Sequence, residues 1–161
     1  MIRVKAITDN KKYNYYMDII KKYEMDRIFC KHGMEHLLDT ARIVYILCLE
    51  GNIDVKKDVV YAAALLHDIG RALEYSENIS HDVAGVSIAK EVLDECEYND
   101  DEIELILNAI SGHRGDIDKE YDKGFADALK RGDKLSRNCL DCKAKFDCKW
   151  PDEKKNLQIT Y

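Results

Sequence analysis

The feature of this sequence that most constrains its fold is an apolar run that ends in a His-Asp doublet. The run covers residues 59–66, and His67, Asp68 and, one residue later, Gly70 follow it. A helix that is apolar on every side is buried in the middle of a bundle rather than on its surface. An imidazole and a carboxylate at the end of such a helix need a partner, because an isolated buried charge is costly. A metal ion would satisfy both side chains at once.

The composition predicts an all-α protein. The chain has 161 residues, a single proline and eight glycines, and its apolar periodicity is helical almost throughout. This length is sufficient for one core and short for two domains of ordinary size. We therefore predict a single-domain helical bundle over residues 1–161, in which residues 138–161 form a short cysteine-bearing tail.

Polar breaks and capping residues divide the chain into six predicted helices. They are Asn10 to about Glu24; Gly33 to Glu50; a third capped by Asp54 and ending in His67-Asp68-Ile69-Gly70; a fourth capped by Ser80 after a loop over Arg71 to Ser80; a fifth opened by the capping-box pair Asn99 and Glu102 and ending at His113; and a sixth over roughly Glu120 to Arg137.

The charge and the absence of apolar spans exclude several classes of protein. A formal net charge of −6 argues against nucleic acid or an anionic membrane surface as the main partner, although it permits a small phosphorylated substrate. No stretch is apolar for long enough to cross a bilayer, and the N-terminus lacks the pattern of a signal peptide. We expect a cytoplasmic protein whose six cysteines are thiols or metal ligands rather than disulfides.

Three motifs together carry a family resemblance. The chain contains His36-Leu37-Leu38-Asp39-Thr40-Ala41-Arg42-Ile43, then Leu65-Leu66-His67-Asp68-Ile69-Gly70, then Asp133-Lys134-Leu135-Ser136. Over about residues 30–137 it resembles the HD-domain superfamily of metal-dependent phosphohydrolases. The resemblance implies that the metal ligands are His36, His67, Asp68 and Asp133. Gly132 departs from the family, which often has alanine there. The alternative is that the histidines are ordinary core residues with hydrogen-bond partners.

The resemblance also implies a reaction. Divalent Fe or Mn is our first choice for a mixed imidazole–carboxylate site, with Mg, Co, Ni or Zn as alternatives. Such an ion lowers the pKa of bound water and neutralises phosphate oxygens, as hydrolysis of a phosphoester or phosphoanhydride requires. The implied enzyme cleaves a nucleotide or a similar small phosphorylated substrate, with Asp68 as a catalytic residue. The alternative is a non-catalytic nucleotide-binding or sensor module that uses the same pocket.

Two further histidines bear on the number of metal ions. His81 and His113 resemble the added positions through which one branch of the superfamily holds two ions that share the doublet carboxylate, here Asp68. We therefore predict one or two ions per chain, with His81 and His113 as the additional ligands. Alternatively, one or both histidines line the pocket and contact substrate phosphate.

Four other polar residues are candidates for substrate contact. Arg71 follows the doublet, Arg114 is next to His113, and Lys134 is next to Asp133. A guanidinium binds phosphate bidentately, so we predict that Arg71 is catalytic and binds substrate, and that Arg114 and Lys134 also bind it. The alternative is that they are solvated surface charges. His32 lies four residues before His36, and for this residue a surface position is the simpler interpretation.

The tail contains a cysteine pattern. Cys139 and Cys142 form Cys-x-x-Cys, and Cys148 follows. This pattern suggests a small metal site, but zinc requires four ligands and no histidine or cysteine follows Cys148. Cys30 or Cys48 could supply the fourth only if the fold brings one of them near. Three packed, metal-free thiols are the simpler interpretation.

Overall fold

The fold is all-α. The computed structural model describes the backbone of residues 1–112 and 120–161 and the side chains of residues 1–111 and 124–161. These parts of the chain contain no strand. Their helices are α1 (Ile2–Asp9), α2 (Lys11–Tyr23), α3 (Met34–Glu50), α4 (Lys57–Leu66), α5 (Arg71–Glu77), α6 (His81–Asp94), α7 (Asp100–Gly112) and α8 (Glu120–Leu135), followed by a 3₁₀ turn (Asp152–Lys154). None of these helices is long and apolar enough to span a membrane.

Helix α4 is the centre of the bundle. It packs against α1, α3, α7 and α8, and seven of its ten residues are buried. This confirms the prediction of a buried apolar helix. Because α3 packs against both α4 and α8, the beginning of α3, the end of α4 and the end of α8 meet at one end of the bundle. Each of these three places carries residues of the predicted metal site.

Three predictions about local structure were wrong. Helix α1 precedes the first predicted helix, and residues 71–77, predicted to be a loop, form α5. Gly70 has a φ of −63° and a ψ of −18°, which are helical angles. The glycine therefore does not end the helical path as a left-handed residue would, and the chain bends at the doublet and continues into α5. Lys56 rather than Asp54 occupies the N-cap position of α4.

An ion cluster ties α1 to the start of α7. Arg3 contacts Glu102, and its Nη2 lies 2.7 Å from Oδ2 of Asp58. Glu102 also accepts a hydrogen bond from Lys56 at 2.9 Å. The predicted capping box is present: the backbone N–H of Asn99 donates to the Glu102 carboxylate at 3.2 Å, and the backbone N–H of Glu102 donates to Asn99 Oδ1 at 2.9 Å. Glu102 thus stabilises both the start of α7 and the contact between α7 and α1.

The Glu102 carboxylate should make stability depend on pH. Hydrogen bonding from Arg3 lowers the pKa of Glu102 from 4.5 to about 2. A carboxyl group whose pKa is lower in the folded than in the unfolded state stabilises the fold at pH values above its unfolded-state pKa. This stabilisation is lost as the pH falls through the folded-state pKa. Glu102→Gln should therefore cost about 1–3 kcal/mol at neutral pH, and much less near pH 2. Urea denaturation of both proteins across this range measures the difference. An equal difference at both ends would contradict the assignment.

Gly132 allows α8 to approach α3 closely. A Cβ atom at residue 132 would lie 2.3 Å from Cγ2 of Val44 and 3.3 Å from its backbone nitrogen. The departure from the family pattern therefore has a packing reason. Gly132→Ala should destabilise the fold by about 1–3 kcal/mol. Adding Val44→Ala should recover part of this loss, which a double-mutant cycle of unfolding free energies detects as a coupling of about 0.5–3 kcal/mol. Strictly additive costs would show that the methyl clash is not the cause.

Candidate metal centre

Four side chains from three parts of the bundle converge at one point. His36, His67, Asp68 and Asp133 each offer a ligand atom, and these atoms all lie within 4.8 Å of one another. Nε2 of His67 is 3.1 Å from Oδ2 of Asp68 and 3.7 Å from Oδ1 of Asp133. Nε2 of His36 is 3.6 Å and 3.4 Å from the same two oxygens. Such a mixed set suits a divalent transition metal.

Hydrogen bonds on the outer side of the two imidazoles orient them. Nδ1 of His67 lies 2.8 Å from the carbonyl oxygen of Ala64, so this nitrogen carries the proton and donates it. Nδ1 of His36 is 3.0 Å from the hydroxyl oxygen of Ser136, which itself donates to the Asp133 carbonyl at 2.8 Å. Both rings therefore turn Nε2 toward the centre as the potential ligand atom. This is the usual arrangement around histidines that bind metal.

The two carboxylates are held by arginines. Nε of Arg71 donates to Oδ1 of Asp68 at 2.7 Å, and Nη2 of Arg137 donates to Oδ1 of Asp133 at 3.1 Å. Oδ2 of Asp68 and Nε2 of His36 are buried and make no hydrogen bond. A buried polar atom without a partner is costly, and a bound cation would satisfy both of these atoms. The residues present therefore fit a metal ion.

The electrostatics also favour exchange of a proton for a metal ion. Burial lowers the pKa of His67, but the carboxylates of Asp68 and Asp133 outweigh burial and raise it to about 10. Burial raises the pKa of Asp68, but His67, His36 and Arg71 hold it well below its usual range. The two carboxylates therefore favour the protonated form of the His67 imidazole. Since a ligating imidazole must lose that proton, metal affinity should rise with pH.

The other predicted site residues lie in different surroundings. His81, at the start of α6, is buried, and its Nδ1 lies 2.7 Å from Oε1 of Glu74; it is not among the four converging residues. His113 and Arg114 lie outside the described residues. Lys134 is exposed, and the cation that contacts Asp133 is Arg137, one helical turn further on.

His32 is a site residue to which sequence reasoning gave too little weight. It is only 3% exposed, and its Nε2 lies 3.9 Å from Oδ2 of Asp68. On the other side, Nδ1 and the backbone N–H of His32 bond to the buried carboxylate of Glu24, to which the Tyr75 hydroxyl also donates at 2.7 Å. Burial raises the pKa of Glu24, but His32 and Tyr75 outweigh it and lower it to about 2. His32 therefore adds a fixed imidazole to the wall of the site.

A cavity of about 820 Å³ opens beside His36. This volume lies within the range of about 300–1,000 Å³ typical of small-molecule sites. Its wall contains four cations in the described part of the chain, together with acidic and apolar groups; the cations are Arg27, Lys31, Arg137 and Lys143. Residues of the tail form part of this wall, so the tail and His36 line one cavity.

Comparison with known proteins places this site in a family. The HD domain family matches residues 33–145. An uncharacterized protein of Clostridium beijerinckii is 44% identical over the whole length of both chains. Ribonuclease Y of Mycoplasma mycoides subsp. mycoides SC is 33% identical over 63% of this chain, and ribonuclease Y of Mesoplasma florum is 31% identical over 74% of it. No solved structure matches the chain significantly.

The family match covers more than half of the chain and contains all four converging residues. The chain therefore belongs to the HD-domain family, a superfamily of metal-dependent phosphohydrolases. It spans only 18% and 23% of the length of the two ribonuclease Y proteins.

Proposed function

We propose that this protein is a metal-dependent phosphohydrolase that cleaves a phosphoester or phosphoanhydride bond in a nucleotide or similar small substrate. The observation that carries the proposal is the convergence of His36, His67, Asp68 and Asp133 beside an open cavity of nucleotide size. Nε2 of His36 and Oδ2 of Asp68, which are buried and make no hydrogen bond, support it further. Iron or manganese is the proposed cofactor, and all four residues are its proposed ligands.

The residues around the ligands have separable roles. A bound divalent ion would supply a low-pKa water and neutralise charge on phosphate. Arg71 orients Asp68 through Nε, and its terminal guanidinium nitrogens, of which Nη1 lies 3.6 Å from Oε2 of Glu74, would bind a phosphate oxygen. Arg137 similarly orients Asp133 and lies in the wall of the cavity. The imidazole of His32 is held by Glu24, and its Nε2 lies 3.9 Å from Oδ2 of Asp68. From this position Nε2 can form a hydrogen bond with substrate.

A second ion is part of the proposal. His81 is its proposed ligand, because Nδ1 is engaged by Glu74, while Nε2 is buried, makes no hydrogen bond and lies 3.0 Å from Oδ1 of Asp82. Asp68 would be shared between the two ions, and His113 would complete the set. Metal analysis of His81→Ala and wild type tests this proposal, since the variant should lose one ion and keep the other. Equal metal content in both proteins would show that His81 is not a ligand, and a content of one ion per chain in both would limit the site to one ion.

The function is tested by a substrate screen on protein of defined metal content. Chelator-treated protein is reloaded separately with Fe²⁺, Mn²⁺, Co²⁺, Ni²⁺, Zn²⁺ or Mg²⁺. Each form is incubated with mononucleotides, dinucleoside polyphosphates, cyclic dinucleotides and short RNA, the last because the ribonuclease Y relatives are named for RNA cleavage. We expect metal-dependent hydrolysis of one class and none by the metal-free form. Tight binding of a nucleotide without hydrolysis by any loaded form would instead favour the sensor module.

Arg71→Ala should separate substrate binding from metal binding. The guanidinium is mostly buried, with 16% of the side chain exposed, and it contacts a ligand without being one. We expect the variant to retain metal, with an affinity lower by about 10–100-fold, to raise KM and to lower kcat/KM. Metal titration and steady-state kinetics on the best substrate measure the two effects.

Two further variants make the Arg71 result interpretable. Arg71→Lys keeps the charge but loses the planar fork, so it should recover only part of the activity. Arg42→Ala removes an exposed arginine that pairs with Asp39 and should leave the kinetics unchanged. If Arg71→Ala has wild-type kinetics, the residue does not contact substrate.

A further inference from the structure

Four cysteines from distant parts of the sequence line one cavity. Cys139, Cys142 and Cys148 in the tail face a space of about 290 Å³ that Cys30, in the loop before α3, also lines. All four are half-buried free thiols. The fold thus supplies the fourth thiol that the Cys-x-x-Cys pattern and its third cysteine lack in the sequence. Cys48, the other candidate, is buried in the core.

The charge of the surrounding wall suits thiolates. Five cations line the same cavity, and its described wall contains no carboxylate, although the chain as a whole has a net charge of −6. These cations are Arg27, Arg137, Lys145, Lys149 and Lys155. The thiolate is the form that binds metal, and nearby positive charges would balance the negative charge of several thiolates in one site. Phe29 and Trp150 supply apolar cover.

The spacing of the four thiols favours a cluster over a single ion. Sulfurs bound to one zinc ion lie about 2.3 Å from it, and hence about 3.8 Å from one another. In the described part of the chain, no three of these sulfurs lie within 4.8 Å of one another, so their spacing is wider than the spacing around one zinc ion. We propose that Cys30, Cys139, Cys142 and Cys148 ligate an iron–sulfur cluster.

The proposed cluster would connect the tail to the metal centre. Cys30 is two residues from His32, and Arg137 both donates to Asp133 and stacks on Trp150, with its guanidinium carbon 4.6 Å from the ring centroid. Cys142 and its neighbours also line the larger cavity beside His36. A cluster would therefore fix one wall of that cavity. This proposal stands on the thiol site alone and does not depend on the hydrolase activity.

The test measures iron, zinc and acid-labile sulfide in the full chain expressed with iron and purified without oxygen. Sulfide distinguishes the cluster from iron at the Asp68 site, because an ion held by imidazole and carboxylate carries no sulfide. Repeating the iron analysis on Asp68→Ala removes the second source of iron. We expect visible charge-transfer absorption and about one sulfide per cluster iron, with each ligating thiol having lost its proton.

Serine substitutions locate the cluster. Cys30→Ser, Cys139→Ser, Cys142→Ser and Cys148→Ser should each lose sulfide and visible absorption, whereas Cys96→Ala, a buried cysteine outside the cavity, should keep both. Circular dichroism checks that the variants are folded. The proposal would be overturned if Cys30→Ser retained the sulfide content of the wild type, or if the wild-type protein contained neither sulfide nor any metal that the four serine substitutions remove. One zinc per chain that all four substitutions remove would overturn the cluster and leave a four-thiolate zinc site.

Discussion

Replacing Asp68 with alanine should remove both metal and hydrolysis. Asp68 is 2% exposed, and its Oδ2 lies within 4 Å of the Nε2 atoms of both His36 and His67. Oδ1 of Asp133 lies 3.4 Å and 3.7 Å from the same two nitrogens, but Asp133 is itself one of the four proposed ligands and cannot replace Asp68. Because loss of even an outer partner of a ligand costs about 10–100-fold in metal affinity, loss of the ligand itself should cost at least about 100-fold. Hydrolysis should fall in proportion to bound metal.

Titration with Mn²⁺ or Co²⁺, followed by the substrate assay, measures both effects. Asp94→Ala is a matched control, since it also removes an aspartate, but an exposed one that pairs with Lys90 on the surface. Its metal content and activity should equal those of the wild type. Asp68→Ala also leaves the Arg71 guanidinium without its 2.7 Å partner, so thermal denaturation of the metal-free proteins should accompany the assay. Full metal binding by Asp68→Ala would refute the assignment of the centre.

The sequence predicted those features of the molecule that depend on a local residue pattern or on a family motif. The buried helix α4 follows from eight consecutive apolar residues, because such a run leaves no face for solvent. The four converging residues followed from three motifs with a family resemblance. The all-α architecture followed from helical periodicity and the near absence of proline. These features depend on local patterns or on a motif, so they are visible without coordinates.

One error arose because glycine can be required for two different reasons, either a left-handed φ or close packing. Gly70 after an apolar run predicts a left-handed helix end, so residues 71–77 were predicted to be a loop. In the structure the glycine has helical angles, and the reason for glycine is close packing against α6. Whether a glycine serves φ or packing depends on what lies against it, and that information is absent from the local sequence.

Long-range polar contacts were equally invisible. Glu24 and His32 are buried together beside Asp68, but neither lies in a recognisable motif, and a lone histidine before a helix is most simply a surface residue. Arg137 is different, since its spacing of four residues from Asp133 predicts a contact on one face of the predicted sixth helix, which extended to Arg137. That signal was present, and the adjacent Lys134 was chosen instead.

Gly70→Ala should be among the most destabilising single substitutions in the chain. A Cβ atom there would lie 2.0 Å from the carbonyl oxygen of His81 and 2.5 Å from the backbone nitrogen of Gly85. Both are backbone atoms, so relief requires α5 or α6 to move rather than a side chain to rotate. Overpacking costs about 1–3 kcal/mol where side chains adjust, and we expect at least the upper end here. That corresponds to a fall in Tm of roughly 6–12 °C at about 2–4 °C per kcal/mol.

Gly85→Ala is the matched control because Gly85 faces Gly70 across the same contact. A Cβ atom at Gly85 would lie 3.7 Å from the nearest atom, the Gly70 nitrogen, which is an ordinary contact. Since alanine is favoured over glycine inside a helix by about 0.5–1 kcal/mol, Gly85→Ala should be neutral or stabilising. The two substitutions add the same methyl group to the same contact, so opposite changes in Tm would follow from backbone geometry alone. If Gly70→Ala has the same Tm as Gly85→Ala, the backbone around Gly70 has room for a Cβ atom, and the close contact with α6 is not the reason for the glycine.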